Sequence, residues 1–139
     1  MNSCALTAAQ LTRIHQALAE VPFAKLVGIE LEEIATGVAT LALDVRSELK
    51  QNNGIVHGGA IATLIDTAAA FAVISVLPVD EQATTVDLTI NYLRPLRSGR
   101  ARATARVVKA GKRVIVVTAE MADGAGKLAA TALTTYIRV

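Results

Sequence analysis

Apolar and polar positions recur along this chain with two different periods, and the change of period divides it. Leu11, Ile14 and Leu18 lie at helical spacing. Thr7 and Gln10 make a capping-box pattern ahead of them and Pro22 closes the segment, which predicts a helix over about residues 7–20. Two strand-like runs come next between residues 25 and 45, KLVGIELEEI and VATLALDV, punctuated by Thr36 and Gly37. Asn52, Asn53 and Gly54 read as a loop. Gly58 or Gly59 then leads into a long helix that is apolar nearly all round and that Pro78 is expected to terminate.

Beyond that helix the period becomes two. ATTVDLTINYLRP is rich in β-branched residues and ends at a turn near Pro95 and Gly99. Arg100, Arg102, Thr104 and Arg106 then alternate with Ala101, Ala103, Ala105 and Val107, giving one wet basic face and one small apolar face. A glycine turn between Lys109 and Lys112 leads to VIVVTAEM, and a turn at Asp123–Gly126 leads to LAATALTTYIRV. These are three consecutive hairpin-linked strands. Strands segregated from one buried helix indicate an α+β chain, whose antiparallel sheet must cover residues 60–77 on one face. The length of 139 residues suits a single domain over 1–139, with no linker, internal repeat or low-complexity tract.

Composition sharpens this picture. Apolar residues are 53% of the chain, but the aromatics are only Phe23, Phe71, Tyr92 and Tyr136, so the core must be built from Ala, Val, Leu and Ile. The lone cysteine, Cys4, cannot form an internal disulfide, and the first ten residues lack a secretory pattern; both fit a reducing, cytoplasmic setting. Residues 61–79 are almost long enough to span a bilayer. Asp66 lies inside them among Ala and Thr, and a carboxylate in hydrocarbon is costly, so a core helix is expected rather than a membrane span. The net charge is +2, yet Arg94, Arg97, Arg100, Arg102, Arg106, Lys109, Lys112 and Arg113 succeed one another with no acid between them. Such a run suits a polyanionic ligand or a solvated sheet face. No stacking aromatics are interleaved with it, which argues against nucleic acid.

The chemistry concentrates in QNNGIVHGGAIATLIDTAAAF, from Gln51 to Phe71. His57, Gly58 and Gly59 sit where loop becomes helix. Unpaired N–H groups and the positive end of the macrodipole would there stabilise an oxygen that acquires negative charge. Asp66 is a single carboxylate in an apolar helix with no basic residue one turn away, so it is either satisfied by Thr63, Thr67 or a distant Arg, or functional. Gly59 and Asp66 are seven residues apart, roughly 10 Å along one helix, whereas a base or nucleophile must reach within about 3 Å of the reacting group. Either the segment is not one active site, or two chains bring His57 and Gly58 of one subunit to Asp66 of the other. A symmetric dimer with two equivalent sites is the economical form of the second option.

The run from Gln51 through His57-Gly58-Gly59 to Asp66, together with TTVDLTINYLRP after it, resembles the hotdog-fold thioesterases, specifically the phenylacetate-degradation (PaaI-like) branch. The resemblance covers about residues 20–139 and leaves the N-terminal helix as the more variable part. It implies a long central helix wrapped by an antiparallel sheet of five to six strands, and dimers that pair into tetramers. It implies acyl-CoA hydrolysis with Asp66 as nucleophile or general base, the Gly58 amide polarising the thioester carbonyl, and His57 positioning the thioester. Gln51 falls where the branch has an orienting Asn or Gln. Thr85, from the Asp66 subunit, falls where a Ser or Thr holds the attacking water. Gly59 and the cations Arg94, Arg97, Lys112 and Arg113 would meet the coenzyme A moiety. Relatives pair Gln with Glu or Asn with Asp, whereas Gln51 here accompanies Asp66, which leaves nucleophilic and base catalysis both open.

Other readings are narrower. One Cys and two distant His do not make a zinc site, and no cofactor is expected beyond the coenzyme A of the substrate itself. The Asp-x-Asn-x-x-His pattern of hydratases on this fold is absent. A non-catalytic acyl-CoA-binding sensor could dispense with Asp66. A thioesterase for acyl-carrier proteins stays open, because a basic face would attract an acidic carrier as well.

Overall fold

The computed structural model describes residues 5–139, so Cys4 lies outside the described residues. Helix α1 spans Ala8–Glu20, and its capping box is formed in both directions: Gln10 N–H donates to Thr7 Oγ1 at 3.1 Å and Thr7 N–H donates to Gln10 Oε1 at 2.8 Å. Pro22 does not simply close this helix. It opens a second one, α2 (Pro22–Val27), at the first helical position, where a residue without an N–H leaves nothing unsatisfied. Residues 25–27 are therefore helical and not the start of a strand. Gly28 ends α2 in the left-handed region with φ 86°, and Arg46 donates to the carbonyls of Leu26 and Val27, both at 2.6 Å.

Strands β1 (Glu30–Ala35) and β2 (Val38–Asp44) form a hairpin, and a loop then leads to α3 (Gly58–Ile74). Strands β3 (Ala83–Tyr92), β4 (Arg100–Ala110), β5 (Val114–Ala122) and β6 (Leu128–Arg138) complete one six-stranded antiparallel sheet in the order β1-β2-β4-β5-β6-β3. The three hairpin-linked strands expected from residue 100 onward are β4, β5 and β6. The sheet curls round α3, which packs on β2, β4 and β5 through buried Ile61, Leu64, Ile65, Ala68, Phe71 and Ala72. Ala101, Ala103 and Ala105 of β4 are buried on the sheet's inner face. A side chain that stops at Cβ lets helix and sheet approach closely, which is how a core with so few aromatics is filled.

Helix α3 ends at Ile74, before Pro78 can act on it. Ser75, fully buried, donates to Ala72 O at 2.6 Å and accepts from Gly37 N–H at 2.8 Å, so its hydroxyl ties the end of the helix to the β1–β2 turn. One long helix wrapped by an antiparallel sheet, with an N-terminal helix beside it, is the hotdog arrangement that the resemblance implies. No helix among the described residues is long and apolar enough to cross a membrane.

Candidate active site

The loop before α3 is pinned from both sides. Val56 N–H donates to Leu96 O and His57 N–H to Leu49 O, each at 2.8 Å. His57 is the N-cap of α3, and its Nδ1 accepts the Gly59 N–H at 2.8 Å. Nδ1 as acceptor puts the proton of a neutral imidazole on Nε2, in a residue exposed to solvent. A Cβ at Gly59 would stand 2.9 Å from Nδ1, so only glycine there lets the ring cap its own helix. Gly58 is confined in another way. Tyr92 donates its hydroxyl to Gly58 O at 3.0 Å, and a Cβ at Gly58 would come within 3.3 Å of the Tyr92 ring. Gly59 N–H is thus taken by His57, while Gly58 N–H has no hydrogen-bond partner among the described residues. Gly58, Gln51, Tyr92 and Arg94 line one recess of about 270 Å³.

Two turns further along α3, Asp66 is half-buried and sits in no ion pair among the described residues. Thr63 and Thr67 do not satisfy it. They donate back into their own helix, to Gly59 O and Thr63 O. The Asp66 carboxylate takes its donors from the sheet instead: Thr85 Oγ1 at 3.0 Å and Tyr136 hydroxyl at 2.9 Å, both to Oδ1, with the one Tyr136 proton shared with the Asp66 backbone carbonyl at 3.0 Å. Oδ2 has no partner among the described residues. Tyr136 is 3% exposed, and burial pushes its phenol above the ordinary tyrosine value, so the hydroxyl keeps its proton and acts as donor. The sequence reading missed Tyr136. The signal it offered was a phenol on an otherwise aliphatic strand, which when buried must find a polar partner.

One chain therefore carries two separate groups of the expected residues on one helix. At the start of α3, Gln51, Gly58 and Arg94 share a recess next to the N-cap His57; further along, Asp66 meets Thr85 and Tyr136. Eight residues separate Gly58 from Asp66, roughly 12 Å along the axis. The expected cations are scattered. Arg97 borders a broad open groove with Asp123 and Gly124, whereas Lys112 and Arg113 lie at the β4–β5 turn. The length of β4 puts these about 30 Å apart in one chain.

The run of basic residues is also less positive than it reads. Arg100 pairs with Glu32 at 2.7 Å, Asp44 at 3.2 Å and Glu30 at 3.3 Å, and Arg102 pairs with Glu32 at 2.7 Å. Pairing of β1 with β2 and of β2 with β4 brings up acids that the local sequence lacks, so this stretch of the run is a neutralised network.

Residues 53–130 match the profile of the Thioesterase superfamily. The chain belongs to that superfamily. The matched segment holds the His57–Gly59 turn, Asp66, Thr85 and Arg94, and leaves Gln51 and Tyr136 outside. Membership in the Thioesterase superfamily makes this chain a thioester hydrolase. The medium/long-chain acyl-CoA thioesterase YigI of Escherichia coli (strain K12) is 30% identical over 152 residues, covering 97% of this chain and 98% of that one. Among solved structures, the conserved protein PA5202 of Pseudomonas aeruginosa is 34% identical with a TM-score of 0.82, covering 86% of this chain and 94% of that one. The E. coli PaaI protein from the phenylacetic acid degradation operon is 27% identical with a TM-score of 0.89, covering 96% of each chain.

Proposed function

We propose that this chain is an acyl-CoA thioesterase whose active site is completed by a second copy, with Asp66 of one subunit facing the Gly58 amide of the other. The observation that carries this reading is the carboxylate itself: anchored through Oδ1, paired with no cation among the described residues, and left with an open Oδ2. Oδ2 either attacks the thioester carbonyl carbon or takes a proton from the water that attacks it. In either course the C–S bond breaks, coenzyme A leaves as the thiol, and water supplies the carboxylate oxygen of the free acid. The oxygen that gathers charge lies at Gly58 N–H, where the helix dipole adds to the hydrogen bond. His57 positions the thioester through Nε2–H, Gln51 orients the carboxylate or water, and Thr85 holds the water beside Asp66. Gly59 backs the His57 cap, and Arg94, Arg97, Lys112 and Arg113 of the two subunits serve the phosphates of coenzyme A. No metal or separate cofactor is called for.

The sheet edges support a dimer. β1 ends the sheet as a six-residue strand with a register shift between Leu31 and Glu33, and a short, irregular edge discourages further pairing. β3 ends it at the other side with ten residues and with Val86 and Tyr92 more than half exposed, 58% and 53%. A long, uncovered edge of this kind invites a second β3 across a twofold axis. Pairing of two such dimers into a tetramer, and a cytoplasmic setting, belong to the same reading.

The test is a panel of short, medium, long and aromatic acyl-CoAs, with medium and long chains first because YigI carries that description. Free thiol release by the wild type is compared with Asp66→Asn. Turnover is expected to fall by about a thousandfold or more in the variant while substrate still binds. Full activity without the carboxylate would end the assignment.

A further inference from the structure

Helix α3 opens with two glycines, the residues least able to hold a helical turn by themselves. That turn is nevertheless bonded on both edges of a single peptide group, the one that joins Gly58 to Gly59. Its carbonyl oxygen accepts the Tyr92 hydroxyl at 3.0 Å, and its N–H donates to His57 Nδ1 at 2.8 Å. In a trans peptide these two groups point in opposite directions, so phenol and imidazole grip one rigid plane from opposite sides. Tyr92 is itself held in place. It is the last residue of β3, paired with Ala130 of β6, and the next residue, Leu93, donates to Ala129 O at 2.8 Å. Its side chain is 53% exposed, so water would satisfy the hydroxyl equally well. What the bond adds, it adds to the glycine turn.

We propose that Tyr92 is the positioning residue for His57, acting through the Gly58–Gly59 peptide. A donor on the carbonyl strengthens the N–H of the same peptide as a donor, because hydrogen bonds in a chain polarise one another. That N–H decides which ring nitrogen carries the proton of a neutral imidazole: Nδ1 must accept, so Nε2 is protonated. It also selects one face of the ring, since a flipped imidazole would set a C–H against the Gly59 N–H. The proposal rests on the thioesterase reading for what Nε2–H meets, the substrate thioester. How the ring is held rests on bonds within this chain. Without the hydroxyl, the peptide rocks between two glycine Cα atoms and the ring exchanges tautomers and rotamers. Turnover then suffers more than affinity, because the orientation of a reacting group is lost and not a binding contact.

The test is Tyr92→Phe, which removes the hydroxyl and keeps the ring against Gly58. The first readout is the imidazole nitrogen NMR spectrum of histidine-labelled protein at about pH 8, where an ordinary imidazole is neutral. The wild type should show His57 with an acceptor Nδ1 and a protonated Nε2. In the variant both signals should move toward those of a tautomer mixture, and the Gly59 amide should exchange with solvent about fivefold faster. Exposed His15, on α1, should not change and serves as the reference. The second readout is thiol release, in which kcat should fall about fivefold with KM within about twofold. A His57 spectrum and Gly59 exchange rate like those of the wild type overturn the proposal, whatever turnover does. A raised KM with kcat intact also overturns it and makes Tyr92 a substrate contact. If Tyr92→Phe does not fold, 3-fluorotyrosine at position 92 keeps the ring and is a stronger donor. Gly59 exchange at about pH 7 should then slow, and an unchanged or faster rate would overturn the proposal. A tautomer shift in Tyr92→Phe, in a protein that releases thiol from no acyl-CoA, would support the clamp and remove the hydrolase reading.

Discussion

A carboxylate with two donors on one oxygen and none on the other is held in place without being neutralised. Thr85 and Tyr136 do this for Asp66, and they reach it from strands β3 and β6. Tyr136→Phe removes little volume and one hydroxyl, whose proton is shared between the Asp66 carboxylate and the Asp66 backbone carbonyl. A hydrogen bond to a charged group contributes about 1.5–3 kcal/mol, so kcat should fall about tenfold or more while KM stays within about twofold. Steady-state kinetics beside a thermal melt separate this from simple destabilisation; an unchanged kcat would show that the phenol does not orient the acid. His57, the two glycines and Asp66 were legible in the sequence because they sit within one short segment whose chemistry is local. Tyr136 was not. It is 70 residues from Asp66, and only the position of β6 against α3 brings the two together.

Among the elements, the legible ones carry their own period. The capping box of α1, the apolar run of α3 and the alternation from Arg100 to Val107 each specify a structure without help from elsewhere. The parts that escaped depend on partners distant in sequence. α2 is a six-residue helix whose last carbonyls are satisfied by Arg46, and α3 stops where Ser75 meets Gly37. The acids that disarm the basic run come from β1 and β2 in the same way. Hydrogen bonds from Arg100, and then from Arg102, hold the Glu32 carboxyl below its ordinary value of 4.5. The folded chain therefore binds that proton less readily than the unfolded one. The stabilisation is complete above pH 4.5 and drains away as pH falls through the lower folded value. Glu32→Gln should lower Tm by about 2–4 °C at pH 7, and melts in increasingly acid buffer should show the gap closing. A gap that persists unchanged in acid would mean the effect is not electrostatic.

At the scale of the whole molecule, the proposed division of the site between copies has a direct test. Asp66→Asn retains the His57–Gly58 turn, and His57→Ala retains the Asp66 carboxylate. Each homodimer should be nearly inactive. Unfolding the two together in equal amounts and refolding them makes half the dimers mixed, and each mixed dimer rebuilds one intact site of its two. Activity should return to about a quarter of the wild-type level. No recovery, with mixed dimers present by native mass spectrometry, would place both halves of the chemistry within one chain.

With Gly58 and Asp66 both on α3, the helix fixes the interval between them. Each added helical residue turns the downstream part of the helix by about 100° and advances it by about 1.5 Å. One extra residue between Gly58 and Asp66 would swing the acid away from its two strand-borne anchors, even if fold and assembly survived. A residue gained in the Asn52–Gly54 loop shifts neither end of that rod. Freedom to vary in length is thus confined to the connections, while the interval between Gly58 and Asp66 is set by the pitch of an α-helix.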